Sequence, residues 1–239
     1  MSERAPGAAV DWSAGETAAR PADGEGLRAR KKRLTRQALS DTATALFLER
    51  GFDAVRVSEI AEACGVSETT AFNYFPTKES LLLDRWESTS AALREALADA
   101  STPPLSAAER LLGRELRGLV GWLAAQGDFA EAAGKYRRFG ELLHSTPSLR
   151  AHQQATTERL TAEAAEALAA RQGSNAAAPG PEAQITAVAL IGLWRVQARS
   201  ITARLAAAET PGQLAEAVSA DVHRAARLLA EGLGAGESG

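Results

Sequence analysis

The chain has 239 residues, 45% of them hydrophobic and 24% charged, with a formal net charge of −3. That length and balance suit one large globular domain or two modest ones and argue against a protein coated with basic residues. A single cysteine, Cys64, excludes an internal disulfide framework, three scattered histidines do not complete a zinc site, and the longest apolar run, Ala187 to Trp194, is too short to cross a bilayer. A cytoplasmic protein with no cofactor, no metal and no membrane partner is expected.

Residues 1–27 are polar and rich in Gly and Pro, without a hydrophobic signal region, and are expected to form a disordered tail. The stretch that follows, "RARKKRLTR" from Arg28 to Arg36, carries six positive charges and no negative ones. Beyond residue 33 nearly everything has helical periodicity and strand alternation is missing, which predicts an all-α fold of about nine helices. In the first helix Leu39, Ala43, Leu46 and Phe47 share one face, Gly51 is the C-terminal cap, and Phe52 folds back on the last turn. Two short helices follow, Ser58–Cys64 and Ser67–Phe75, separated by Gly65 and Val66, with Ser67 placed to cap the second. Pro76 stops that helix. A longer one is expected from Thr77 to about Ala98, burying Leu82, Trp86, Leu93 and Leu97. "STPP" (Ser101 to Pro104) marks an internal boundary. Further helices are expected over Ser106–Gln126, Phe129–His144, Ser148–Arg171, Glu182–Ala208 and Gln213–Leu233, with a loop at Gln172–Pro181 and a flexible end at 234–239.

"SETTAFNYFPTKES" (Ser67 to Ser80) crowds Phe72, Tyr74 and Phe75 into four positions of a chain that is only 5% aromatic. Two short helices around a glycine turn make a helix-turn-helix, in which Ala61 permits close approach, Gly65 takes a positive φ and Val66 fills the gap. At helical spacing Ala71 and Phe75 face inward, while Glu68, Thr69, Phe72 and Asn73 face the opposite way, with Thr70, Tyr74 and Lys78 on the flank. The outward set suits a DNA major groove. Asn73 can pair with an adenine edge, Phe72 and the Thr69 methyl can touch thymine methyls, and Glu68 can accept from a cytosine amine. Thr70, Tyr74, Lys78 and the helix end at Ser67 can hold phosphates. The alternative makes Phe72 and Tyr74 ordinary core.

The segment from Leu34 to Leu83 resembles the N-terminal DNA-binding domain of the tetracycline-repressor (TetR) family, through "LFLERGF", "VSEIAEACGVS", "NYFPTKESLL" and the Thr35-Arg36 pair. The resemblance implies an all-α homodimer with a three-helix reading head at 28–80 and a larger ligand-binding and dimerisation domain at 81–233. Two departures stand out. Arg56 occupies a position where the family usually has a capping Ser or Thr, which suggests a phosphate contact, and Ala71 is smaller than the usual Leu. The basic arm at 28–36 then precedes the first helix, where Arg30, Lys31, Lys32, Arg33 and Thr35 can follow the backbone or enter the minor groove.

A dimer needs an interface. Ile185, Val188, Ala189, Gly192 and Val196 form one stripe of the penultimate helix, and Leu214, Val218, Val222, Ala225 and Leu229 form its expected match on the last. A small, mostly apolar effector is expected among Trp122, Phe129, Tyr136, Phe139, Leu143 and Trp194, with Arg138, His144, His152 or Gln153 as polar contacts and Gly134 and Gly140 as breaks in a deformable helix. The expected partners are therefore operator DNA, a second copy of the chain and this effector, with repression as the outcome. Two alternatives are a dimeric sensor that has lost DNA binding and a helical enzyme. The second lacks a nucleophile–base motif, metal-ligand spacing and a phosphate-cradling loop.

Overall fold

The computed structural model describes the backbone of residues 26–83, 85–173 and 178–234, and their side chains except at 85–88 and 233–234. The expected N-terminal tail lies outside these residues except at its last two positions, as do most of the C-terminal end and the Trp86 side chain. The described residues form ten helices and no strand: α1 Leu27–Arg50, α2 Val57–Ala63, α3 Glu68–Tyr74, α4 Ser80–Leu83, α5 Arg85–Ala98, α6 Pro104–Ala125, α7 Phe129–Ser145, α8 Pro147–Arg171, α9 Pro181–Leu205 and α10 Pro211–Gly234. None is long and apolar enough to cross a membrane.

Several boundaries differ from the sequence expectation for identifiable reasons. The basic stretch is not an arm before the first helix, because α1 begins at Leu27 and carries Arg28 to Arg36 in its opening turns. Gly26 and Gly51 bound a run of Arg, Lys, Leu and Ala with no breaker inside, and those residues favour helix. Four later helices begin at a proline, one or two residues earlier than expected. Proline lacks only an N–H that the first turn leaves unpaired, and its fixed φ already suits a helix. Thr77 does not open the fourth helix. It caps it reciprocally with Ser80: the Ser80 amide donates to Thr77 Oγ1 at 3.1 Å and the Thr77 amide donates to Ser80 Oγ at 3.2 Å.

Two cores organise the chain. Leu39, Ala43 and Phe47 of α1, Ile60 and Ala61 of α2, Ala71 of α3 with Phe75 just beyond it, and Leu81–Leu83 of α4 pack into the head core. Phe139 and Leu143 of α7 and Leu149 of α8 join it, so the head core does not end at residue 80. The body core is built by α5, α6, α8, α9 and α10, around Leu112, Leu123, Leu160, Leu190, Leu214 and Val218. Each fully buried side chain of this size contributes about 1.5–3 kcal/mol.

The last helix overturns one expectation. Leu214, Val218 and Val222 are buried inside the subunit, against its own α6 and α9, and are not on offer to a partner. Ala225 and Leu229 are half-buried beside them. On α9, by contrast, Ile185 and Val188 stand 58% and 54% exposed, with Ala189, Gly192 and Val196 half-buried along the same side.

Charge pins α9 to α10. Asp221 accepts from Arg204 Nε at 2.9 Å and from Ser200 Oγ at 2.6 Å, and pairs also with Arg224. The Arg204 and Ser200 hydrogen bonds hold the Asp221 carboxyl well below the usual carboxylate range. A carboxyl depressed on folding adds stability above its unfolded pKa of about 3.9 and loses that contribution as the pH falls. Asp221→Asn is therefore expected to lower the melting temperature at neutral pH, with a deficit that shrinks as the pH drops from about 4 toward 2. Thermal melts across that range check it.

Candidate nucleic-acid interface and effector cavity

The turn between α2 and α3 is set by backbone chemistry. The Val66 amide donates to the Ala61 carbonyl and the Gly65 amide to the Glu62 carbonyl, both at 3.0 Å, with Gly65 at φ +67°. This pair of bonds closes a helix through a left-handed residue, a conformation that glycine adopts without a Cβ penalty. Ser67 then caps α3, its Oγ accepting from the Thr70 amide at 3.1 Å and lying 2.8 Å from Thr70 Oγ1.

The helix faces separate cleanly. Ala71 and Phe75 are each 1% exposed in the head core, whereas Glu68, Thr69, Phe72 and Asn73 all open to the outside, Phe72 with 41% of its surface. Thr70, Tyr74 and Lys78 are half-buried between these faces. The outward side thus presents a carboxylate, a methyl with a hydroxyl, an aromatic ring and an amide, side by side on two turns. Arg56 is exposed at the N-cap of α2, where its side chain makes no capping bond. Arg30, Lys31, Lys32 and Arg33 are exposed on the first turns of α1, and Thr35 is half-buried.

Two residues do more than the sequence indicated. Arg36 Nη1 donates to the Tyr74 carbonyl at 2.8 Å while its guanidinium stacks 4.6 Å from the Phe75 ring centre. A cation at the C-terminal end of α3 satisfies an orphan carbonyl and complements the helix dipole. Lys78 Nζ donates to the Phe52 carbonyl and lies 4.4 Å from the Phe52 ring centre. One of its three donors is thus committed to the head, and Lys78 is a structural residue as well as a flanking cation.

A second site lies where head and body meet. A cavity of about 210 Å³ is walled by Leu82 and Leu83 of α4, Phe139 and Leu143 of α7, and Trp194 and Ile201 of α9. Tyr136, Gly140, His144 and Thr202 also line an adjoining groove of about 940 Å³ that includes Phe129, Leu205 and Glu209. Of the expected effector contacts, Tyr136, Phe139, Leu143 and Trp194 line the inner cavity and Phe129 lines the groove. Trp122 is buried in the body core, Arg138 is exposed and His152 half-buried, and none of these three lines either space. The glycines do not break α7, which runs unbroken through Gly134 and Gly140. On the polar side, the expected His144 and Gln153 line the inner cavity, whereas Thr89 and Glu115 are contacts that the sequence did not indicate. Thr89 Oγ1 donates to Glu115 Oε1 at 2.7 Å, and Trp194 Nε1 donates to Glu115 Oε2 at 3.1 Å. Glu115 reads as one more carboxylate of an amphipathic helix, and only the fold brings Thr89 and Trp194 to it. Among the described residues no group of His, Cys, Asp and Glu could hold a metal ion.

This architecture defines a helix-turn-helix protein with an exposed second helix. Residues 39–84 match the model of the tetR family of bacterial regulatory proteins. The chain is 33% identical over 161 residues, 63% of its length, to the HTH-type transcriptional regulator TcmR of Streptomyces glaucescens, and 36% identical over 77 residues, 29% of its length, to the HTH-type transcriptional regulator RutR of Escherichia coli (strain K12). It spans 66% of the length of the first and 36% of the second. The crystal structure of Thermus thermophilus FadR, a TetR-family transcriptional repressor in complex with lauroyl-CoA, overlaps 82% of this chain and 94% of its own at 27% identity, with a TM-score of 0.41. The chain belongs to the tetR family of transcriptional regulators.

The two faces of α3 make a direct prediction. Phe75→Ala is expected to cost about 3–5 kcal/mol of stability as a buried ring is deleted, whereas Phe72→Ala stays within about 0.5 kcal/mol of the parent. Urea unfolding of both variants checks this.

Proposed function

We propose that this chain is a cytoplasmic homodimeric repressor that binds a palindromic operator and is released by a small, mostly apolar effector. The observation that carries the reading is the exposure of Glu68, Thr69, Phe72 and Asn73 on a helix seated by Ala71 and Phe75. Asn73 offers a donor and an acceptor to an adenine edge, Phe72 and Thr69 offer apolar contact to thymine methyls, and Glu68 offers an acceptor to cytosine. Ser67, Thr70, Tyr74, Lys78, Arg56 and the basic opening of α1 supply phosphate contacts, which position the helix without reading sequence.

Dimerisation is supported by the exposed Ile185 and Val188 on α9, with the half-buried Ala189, Gly192 and Val196 beside them, and by Leu228 of α10 at 65% exposure. Two heads related by a two-fold axis reach successive major grooves when their recognition helices stand about 34 Å apart. The effector acts on that spacing. Leu82 and Leu83 of α4 belong to the head core and also wall the inner cavity, and Ser40 Oγ of α1 donates to the Leu81 carbonyl at 2.9 Å. A molecule in the cavity that favours one position of α4 shifts the head with it, and lowers operator affinity by its preference between the two dimer states.

Selection of bound fragments from random DNA, followed by titration at several salt concentrations, tests the proposal. Binding is expected to weaken steeply with salt. Asn73→Ala should relax preference at one base position by about 1–3 kcal/mol. Lys78→Ala should weaken all fragments alike, flatten the salt slope and lower the melting temperature, because its ammonium also holds the head. A full-length dimer that recovers no fragment, with neither substitution changing any DNA binding, contradicts the regulator reading.

A further inference from the structure

Six large hydrophobic side chains stand exposed among the described residues. Phe72 is proposed for DNA, and Ile185, Val188 and Leu228 for the dimer contact, which leaves Leu27 and Leu34, 85% and 51% exposed. Both sit on the basic opening of α1, where phosphate contact calls for cations and hydrogen-bond donors and not for leucine. Leu27, Lys31, Leu34 and Ala38 fall on one side of this helix, at helical spacing. With Cys64, just beyond α2, they line a groove of about 410 Å³.

The chain carries a complement to that groove. Residues 1–25, which lead directly into it, hold Glu3, Asp11, Glu16, Asp23 and Glu25 against Arg4 and Arg20, the whole of the formal net charge of −3. The stretch from Arg28 to Arg36 holds six positive charges. The tail also contains Val10 and Trp12, the latter fourteen residues before Gly26. That length of chain extends up to about 45 Å, whereas α1 advances only about 17 Å from Leu27 to Ala38. The tail therefore reaches every part of the groove when it turns back.

From charge, reach and the exposed leucines we infer that residues 1–25 dock on this groove in the absence of DNA, with Val10 and Trp12 against Leu27 and Leu34 and the carboxylates against the cations of α1. The inhibitory part rests on the opening of α1 being a DNA contact of the proposed regulator. The tail is then a tethered competitor, because its carboxylates and the phosphates take the same cations. Trp12 suits the seat, since the face of an indole attracts an ammonium such as that of Lys31. Exposed ion pairs are individually weak, but a short tether presents them at about millimolar effective concentration. Operator affinity falls in proportion to the fraction of molecules whose tail is lifted.

Cys64, the only cysteine of the chain, walls the groove and reports its coverage without DNA. One full-length variant combines Asp11→Asn, Glu16→Gln, Asp23→Asn and Glu25→Gln. Its Cys64 should be alkylated by iodoacetamide about tenfold faster than in the parent, and its operator binding should be about tenfold tighter, as for a tail docked in about nine molecules of ten. A second variant, Val10→Ser with Trp12→Ser, keeps the charges and should raise both quantities too. The gap between parent and charge variant should narrow as salt rises from about 0.05 M to about 0.5 M. Melting temperatures establish that each variant is folded.

Unchanged labelling in both variants overturns the inference. So does tighter operator binding without faster labelling, which would mean that the tail acts by charge alone and not from the groove. Cys64 protection that grows with protein concentration would place a second copy there, and overturns it equally. Faster labelling in a protein that binds no DNA sinks the regulator reading and leaves the docked tail standing. Unchanged labelling in a protein that binds its operator sinks this inference alone.

Discussion

The reading head depends on how a helix of seven residues is held in place. A segment as short as α3 has no stability of its own in water, because its few internal hydrogen bonds do not offset the cost of nucleation. Its order is imposed from outside: Ala71 and Phe75 sink into the head core, Ser67 caps the first turn, and Arg36 reaches from α1 to the carbonyl of Tyr74. Every outward side chain takes its direction from those anchors. A small residue at position 71 brings the helix close to its neighbours, and the Arg36 guanidinium over the Phe75 ring closes the opposite end.

The same economy joins head and body. α4 contributes Leu81, Leu82 and Leu83 to the head core, and two of these also face the inner cavity. α7 repeats the arrangement, since Phe139 and Leu143 belong to the head core and line the same chamber. Close-packed interiors transmit displacement, so a change in what fills the chamber is felt by residues that hold the recognition helix. The head and the cavity share side chains, so the proposed effector response needs no separate relay between them.

What was legible in the sequence was the local part. The turn at Gly65, the cap at Ser67 and the inward and outward faces of α3 follow from spacing and residue type within a dozen positions. The helices that start at Pro104, Pro147, Pro181 and Pro211 begin slightly before the sequence suggests, because proline reads as a boundary when it is in fact the first helical residue. The basic stretch looked like an arm by its charge, while its helix propensity decided its conformation. Distance in the chain hid the rest. Arg36 and Tyr74 are 38 residues apart, and Glu115 and Trp194 are 79 apart, so nothing in either neighbourhood announces the contact. Periodicity showed that Leu214, Val218 and Val222 are buried but not by what, and the subunit's own core claimed them.

Amide hydrogen exchange of the full chain, with and without a selected DNA fragment, tests most directly that α3 is an exposed reading element on a fixed seat. The account predicts that DNA slows exchange in α3 and at the start of α1. Protection confined to other surfaces, with the segment from Ser67 to Tyr74 exchanging as fast as before, would contradict it.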